Sequence, residues 1–134
     1  MDSEAGRRAA AAFLAAQATF GAIWWLALLT VPAARTWFEL IADRRGALDA
    51  LVIADVALVV VGSAAAAVAV GRGSPSAPLV TAFTAGAVAY ATLTLLGWVL
   101  IEGSPAFGLL PMAIASVATT LIAVGTHRAM VRRG

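Results

Sequence analysis

The chain has 134 residues, of which 62% are hydrophobic and 12% charged, with a formal net charge of +2 and no cysteine. Soluble domains are nearer half apolar and a quarter charged, so a water-soluble globule is excluded and a bilayer is the expected solvent. The missing cysteines exclude disulfides and thiolate metal sites.

All nine basic residues are arginine. They gather at the ends of apolar runs, as in Arg7-Arg8, Arg44-Arg45 and Arg132-Arg133. That is the pattern of membrane topology rather than of nucleic-acid binding.

Four apolar runs, at about 11–33, 47–70, 78–101 and 105–126, each approach the ~20 residues that cross a hydrocarbon core. Each is expected to be a helix, because backbone facing lipid must satisfy its own hydrogen bonds. The expected architecture is an all-α, single-domain bundle of four transmembrane helices over residues 1–134. The first run has a basic start, yet its apolar part exceeds a signal peptide's and no convincing cleavage site precedes a soluble domain. It is therefore expected to remain as a helix.

The first connection, "ARTWFELIADRRG", puts Trp37, Phe38 and Ile41 on one helical side and Arg35, Glu39 and Asp43 on the other. A short amphipathic helix lying at the interface fits this spacing. "GRGSPSAP" is a polar turn. "EGSP" is a tighter one, with Ser104 as N-cap and Pro105 at the first helical position, so the third and fourth helices form a hairpin. Pro111 is expected to kink the fourth helix.

The arginine bias gives an orientation. Arg7, Arg8, Arg72, Arg128, Arg132 and Arg133 share one side, and Arg35, Arg44 and Arg45 the other. A multi-pass protein of the cell membrane with both termini in the cytoplasm is the expectation.

Threading the helices up and down collects chemistry at one end. Glu39, Asp43, Asp49, Asp55 and Glu102 lie toward the first and third connections, as do Trp24, Trp25, Trp37 and Trp98. An aromatic belt and solvated loop charges account for several of them. They do not account for Asp55, about 12 Å into the second helix at ~1.5 Å per residue. An ionised Asp at a bilayer centre costs about 2.5–3.5 kcal/mol on the insertion scale. Either it carries a proton, or it pairs with an arginine or hydroxyl in a wet cavity. At ~100° per residue, Asp55 shares a stripe with Gly62 and Ala66, a small-residue surface that should turn it toward the interior.

Three further faces are candidates to meet it. In the third helix these are Phe83, Gly86, Tyr90, Thr94 and Gly97, in the first Phe13, Gln17, Gly21 and Trp24, and in the fourth Met112, Ser116 and Thr120. Most Ser and Thr hydroxyls are expected simply to bond their own helix.

Other chemistries lack their residues. His127 is the only histidine, which removes histidine-ligated zinc, di-iron and two-histidine haem sites within one chain. There is no phosphate loop. Ser104 and Ser116 have no base in reach. Carboxylate chemistry remains: Asp55, with Glu39, Glu102 or Asp49, can supply a proton donor and an acceptor held at different depths. Trp24, Trp25, Tyr90, Trp98 and Arg35 are the candidate substrate-binding groups, and neither a cofactor nor a metal is expected.

The leading expectation is an interior carboxylate site for a lipophilic small molecule, with acid/base work such as isomerisation, cyclisation or epoxide opening. The alternatives are a non-catalytic subunit or assembly factor of a membrane complex, and a small oligomeric proton- or cation-coupled transporter. The partners implied are membrane lipids, a hydrophobic small molecule, and a second copy or a larger complex.

Overall fold

The first helix begins before its apolar run does. In the computed structural model, which describes residues 3–35, 51–102 and 108–132, α1 spans Glu4–Thr30. Ser3 accounts for the early start: its hydroxyl oxygen accepts the Gly6 N–H at 3.1 Å, satisfying one of the orphan donors of the first turn. Glu4 adds negative charge at the positive end of the helix dipole and pairs with Arg8 one turn on. The helix stops where proline dictates. Val31, the residue before Pro32, is extended at φ −113° and ψ 102°, and Pro32 opens the short helix α2, Pro32–Arg35.

Three more helices follow: α3 over Leu51–Gly71, α4 over Ala77–Glu102 and α5 over Leu109–Val131. With α1, they are four helices long and apolar enough to cross a membrane. The described residues contain no strand, and the fold is an all-α four-helix bundle. The interfacial helix expected after Arg35 and the Ser104/Pro105 cap lie outside the described residues. Pro111 does not fall where a kink was expected. With α5 starting at Leu109 it sits in the first turn, where its missing N–H has no intrahelical partner to lose.

The bundle consists of two antiparallel pairs, α1 with α3 and α4 with α5, joined along α3 and α4. Contact between α1 and α5 is sparse. The N-terminal half of α1 lays Ala10 and Leu14 against Ala66, Ala67, Ala69 and Val70 of α3. Its C-terminal half lays Trp25 and Leu28 against Leu51, Val52, Val56 and Val60. Large apolar side chains point outward, among them Phe20, Ile23, Leu26, Leu79 and Leu100. In water such a surface would aggregate; in lipid it is the normal exterior.

Small residues set how near the helices come. A Cβ on Gly21 would lie 3.0 Å from Val60 Cγ2, and one on Gly62 would lie 3.3 Å from Thr84 Oγ1. Both glycines therefore mark close approaches, of α1 to α3 and of α3 to α4.

The turn after α3 closes as a Schellman motif. The Gly73 N–H donates to Val70 O at 3.0 Å and the Ser74 N–H to Ala69 O at 2.9 Å. Gly73 takes φ +63°, which an L side chain adopts at a cost. Gly73→Ala should lower stability by about 1 kcal/mol, measured by thermal unfolding in detergent micelles.

Candidate functional site

Helix α3 is not a uniform α-helix. Over Val56–Val60 it widens to π geometry, and the Val61 N–H reaches back to Val56 O, five residues rather than four. Three consecutive β-branched residues, Val59, Val60 and Val61, crowd this turn. One of them, Val60, presses on Gly21. Asp55 is the residue that enters the widened turn.

This geometry corrects the projection from Asp55 to Gly62. One extra residue per turn displaces the two by roughly 100° relative to a regular helix. Gly62 and Ala66 are buried in the interior, as their stripe predicted, but Asp55 is only half-buried. Its carboxyl makes no hydrogen bond or ion pair with a described residue. The stretch of α3 that carries it packs against Trp25 and Leu28, with Trp24 alongside. The widened turn also touches α4.

The other candidates divide. Trp25 is buried, and Trp24 is half-buried and stacked on Phe20 with ring centroids 6.2 Å apart. Trp98 is half-buried near the end of α4. Tyr90 does not line an interior: it is 68% exposed, with Phe83 beside it on the outward face at 58%. A Cβ on Gly86 or Gly97 would meet nothing within 4 Å. The face that α4 turns inward carries Thr81, Thr84, Ala85 and Val88 instead. Arg35 ends α2 and Glu102 ends α4; only their backbones are described. Glu39 and Asp49 lie outside the described residues.

The polar centre of the bundle is elsewhere. Gln17 Nε2 donates to Ser63 Oγ at 2.8 Å, and Thr119 Oγ1 shares its proton between Gln17 Oε1 at 3.0 Å and Ala115 O of its own helix at 2.7 Å. One side chain thus ties α1 to both α3 and α5. The stripe reading of α1 included Gln17, but on α5 it chose Ser116 and Thr120 and passed over Thr119. Most other hydroxyls bond their own helix as expected, for example Thr84 to Val80 O and Thr92 to Val88 O. Thr81 and Thr126 additionally meet across α4 and α5 at 2.9 Å.

Chemically, the node and the acid differ. The amide of Gln17 is engaged on both sides, its nitrogen with α3 and its oxygen with α5. Asp55 has a half-buried carboxyl with no partner among the described residues, inside an apolar span. Among the described residues no group of three His, Asp or Glu side chains could hold a metal ion. No family model, curated protein or solved structure matches the chain.

Proposed function

We propose that Asp55 is the polar anchor of a site for a lipophilic small molecule, within a multi-pass protein of the cell membrane whose termini face the cytoplasm. The single observation that carries this reading is the carboxyl of Asp55, without a partner among the described residues and half-buried where an apolar helix widens. An acid in a membrane span is costly, and π turns inside α-helices are frequent at functional positions. Trp24, half-buried beside the same stretch, gives an apolar compound a ring to lie on. Acid/base chemistry on that compound would use Asp55 as proton donor or acceptor, with Glu39, Asp49 or Glu102 as its counterpart and Arg35 to orient an anionic group.

The test is retention of a compound. Protein purified in mild detergent is extracted with organic solvent and the extract analysed by mass spectrometry. The wild type should release a lipophilic compound that Asp55→Asn retains about tenfold less well, the loss expected for one strong polar contact. Equal retention by the two proteins would end the proposal. Asp55→Leu should also unfold at higher temperature than the wild type, because it removes an acid that has no partner among the described residues.

A second reading has its own support. The outward face of α4 bears Gly86, Gly97 and the exposed Tyr90, and small residues on a lipid-facing surface let another helix approach closely. A non-catalytic subunit would use that face, with Asp55 pairing to a partner's arginine. Gly86→Leu would then abolish co-purification of a partner while leaving the isolated chain's unfolding temperature unchanged.

A further inference from the structure

At the opposite end of the bundle from Asp55, the start of α1, the turn after α3, the start of α4 and the end of α5 surround a cleft of about 280 Å³. Its walls are of two kinds. Val70, Pro78 and Met130 make it apolar, while Arg7, Ser74 and Thr126 bring a guanidinium and two hydroxyls. Arg7 is half-buried, and its Nε, shielded from solvent, has no hydrogen-bond partner. Arg7 forms no ion pair with a described residue. Glu4, the one acid described at this end, is taken by Arg8. The Arg7 side chain lies over the turn, with Nη1 3.8 Å from where a Cβ on Gly73 would be.

A buried guanidinium N–H without an acceptor is a rare condition, and its complement is an anion. Guanidinium forks suit phosphate in particular, since two parallel N–H groups match two of its oxygens. Arg72 and Arg128, both exposed at this end of α3 and α5, add positive potential. The apolar wall admits the chain-bearing side of an amphiphile. The cleft also sits at the start of α1 and the end of α3, two of the apolar spans, beside the arginines that flank them.

We infer that the cleft around Arg7 is a phosphate site, filled by the head-group phosphate of a phospholipid or by the free anion. Arg7 holds the phosphate oxygens; the Thr126 hydroxyl is taken up by Ala123 O and Thr81 and that of Ser74 by Ser76, so they line the cleft without being its anchor. Arg8, exposed and already paired to Glu4, takes no part.

The experiment uses the full chain in detergent micelles and native mass spectrometry. Phosphatidylglycerol is compared with diacylglycerol of the same acyl chains, which lacks the phosphate. The wild type should retain phosphatidylglycerol in preference to diacylglycerol. Arg7→Gln should lower that retention about tenfold, and Arg8→Gln by less than about twofold. Arg7→Lys, which keeps the charge and loses the fork, should fall between and guards against a folding defect in Arg7→Gln. A parallel arm adds inorganic phosphate to lipid-stripped protein and follows the unfolding temperature. A rise in the wild type that Arg7→Gln lacks, without selective lipid retention, assigns the site to the free anion. Selective retention without that rise assigns it to the lipid. Equal losses in Arg7→Gln and Arg8→Gln, or equal retention of diacylglycerol, together with no phosphate-dependent rise, would overturn the site.

Discussion

Gly62→Leu should separate α3 from α4 and cost about 3 kcal/mol, the upper range for forcing bulk into a packed interior. The Cβ alone would stand 3.3 Å from Thr84 Oγ1 and 3.9 Å from its Cγ2, and leucine adds three more carbons beyond it. Thr84 cannot swing aside, because its hydroxyl is tied to Val80 O at 2.8 Å and its side chain is wholly buried. Gly62→Ala is the gentler case, with a cost of about 1 kcal/mol. All the atoms near its new methyl belong to the Thr84 side chain. Thr84→Ala should therefore restore most of that loss, and the double mutant should be more stable than the sum of the two single changes. Thermal unfolding in micelles supplies the four values. Strict additivity would mean that α3 and α4 do not meet at this pair.

Gln17→Leu should cost about 2 kcal/mol and exceed either of its partners' changes. Interhelical hydrogen bonds in membranes average only ~0.6 kcal/mol, so two broken bonds do not reach that figure. The remainder comes from Ser63, whose hydroxyl is fully buried and would be left without its partner, at about 1 kcal/mol or more. Ser63→Ala removes its own polar group along with the bond, and Thr119→Val keeps the residue's shape. Each should cost less than about 1 kcal/mol. The ordering is the test: a Ser63→Ala loss as large as that of Gln17→Leu would contradict the node. Because α1 and α5 touch little elsewhere, Gln17→Leu should also loosen these two helices relative to each other, visible as faster amide exchange in α5 near Thr119.

Much of the fold was legible because a hydrocarbon core imposes length and apolarity on every span. The helix ends departed from the apolar runs where polar chemistry set them. Ser3 carries α1 back to Glu4, through two arginines that hydropathy assigns to a tail. At its other end, α5 runs on to Val131, past His127 and Arg128.

Faces were harder to read than spans. In a soluble helix, polarity separates inside from outside; in a membrane both sides are apolar, and that signal fades. The face of α4 holding Phe83, Tyr90 and Thr94 looked like an interior because it mixed aromatic and polar groups. The helix instead buries Thr81, Thr84, Ala85 and Val88. A threonine whose hydroxyl bonds its own backbone behaves as a small residue and permits close packing. Phe83 and Tyr90 are too large for that approach and turn outward. Thr119 escaped for a related reason: on α5 it lies one position from Thr120, and sequence alone does not choose between adjacent threonines.

The site was legible in part. Asp55 stands out in any reading of α3 as an acid inside an apolar run. Its direction was not legible, because the projection assumed a constant turn. A run of valines is compatible with a regular helix or with a widened one, and the close approach of Val60 to Gly21 of α1 appears only once the helices are packed.

The widened turn at Val56–Val60 makes the direction of the acid a matter of chain length. One extra residue in a turn rotates everything before it by roughly 100° against everything after it. Removing one valine from this run would return α3 to regular pitch and carry Asp55 round to another face, while the residues that pack α1 against the far half of α3 stay where they are.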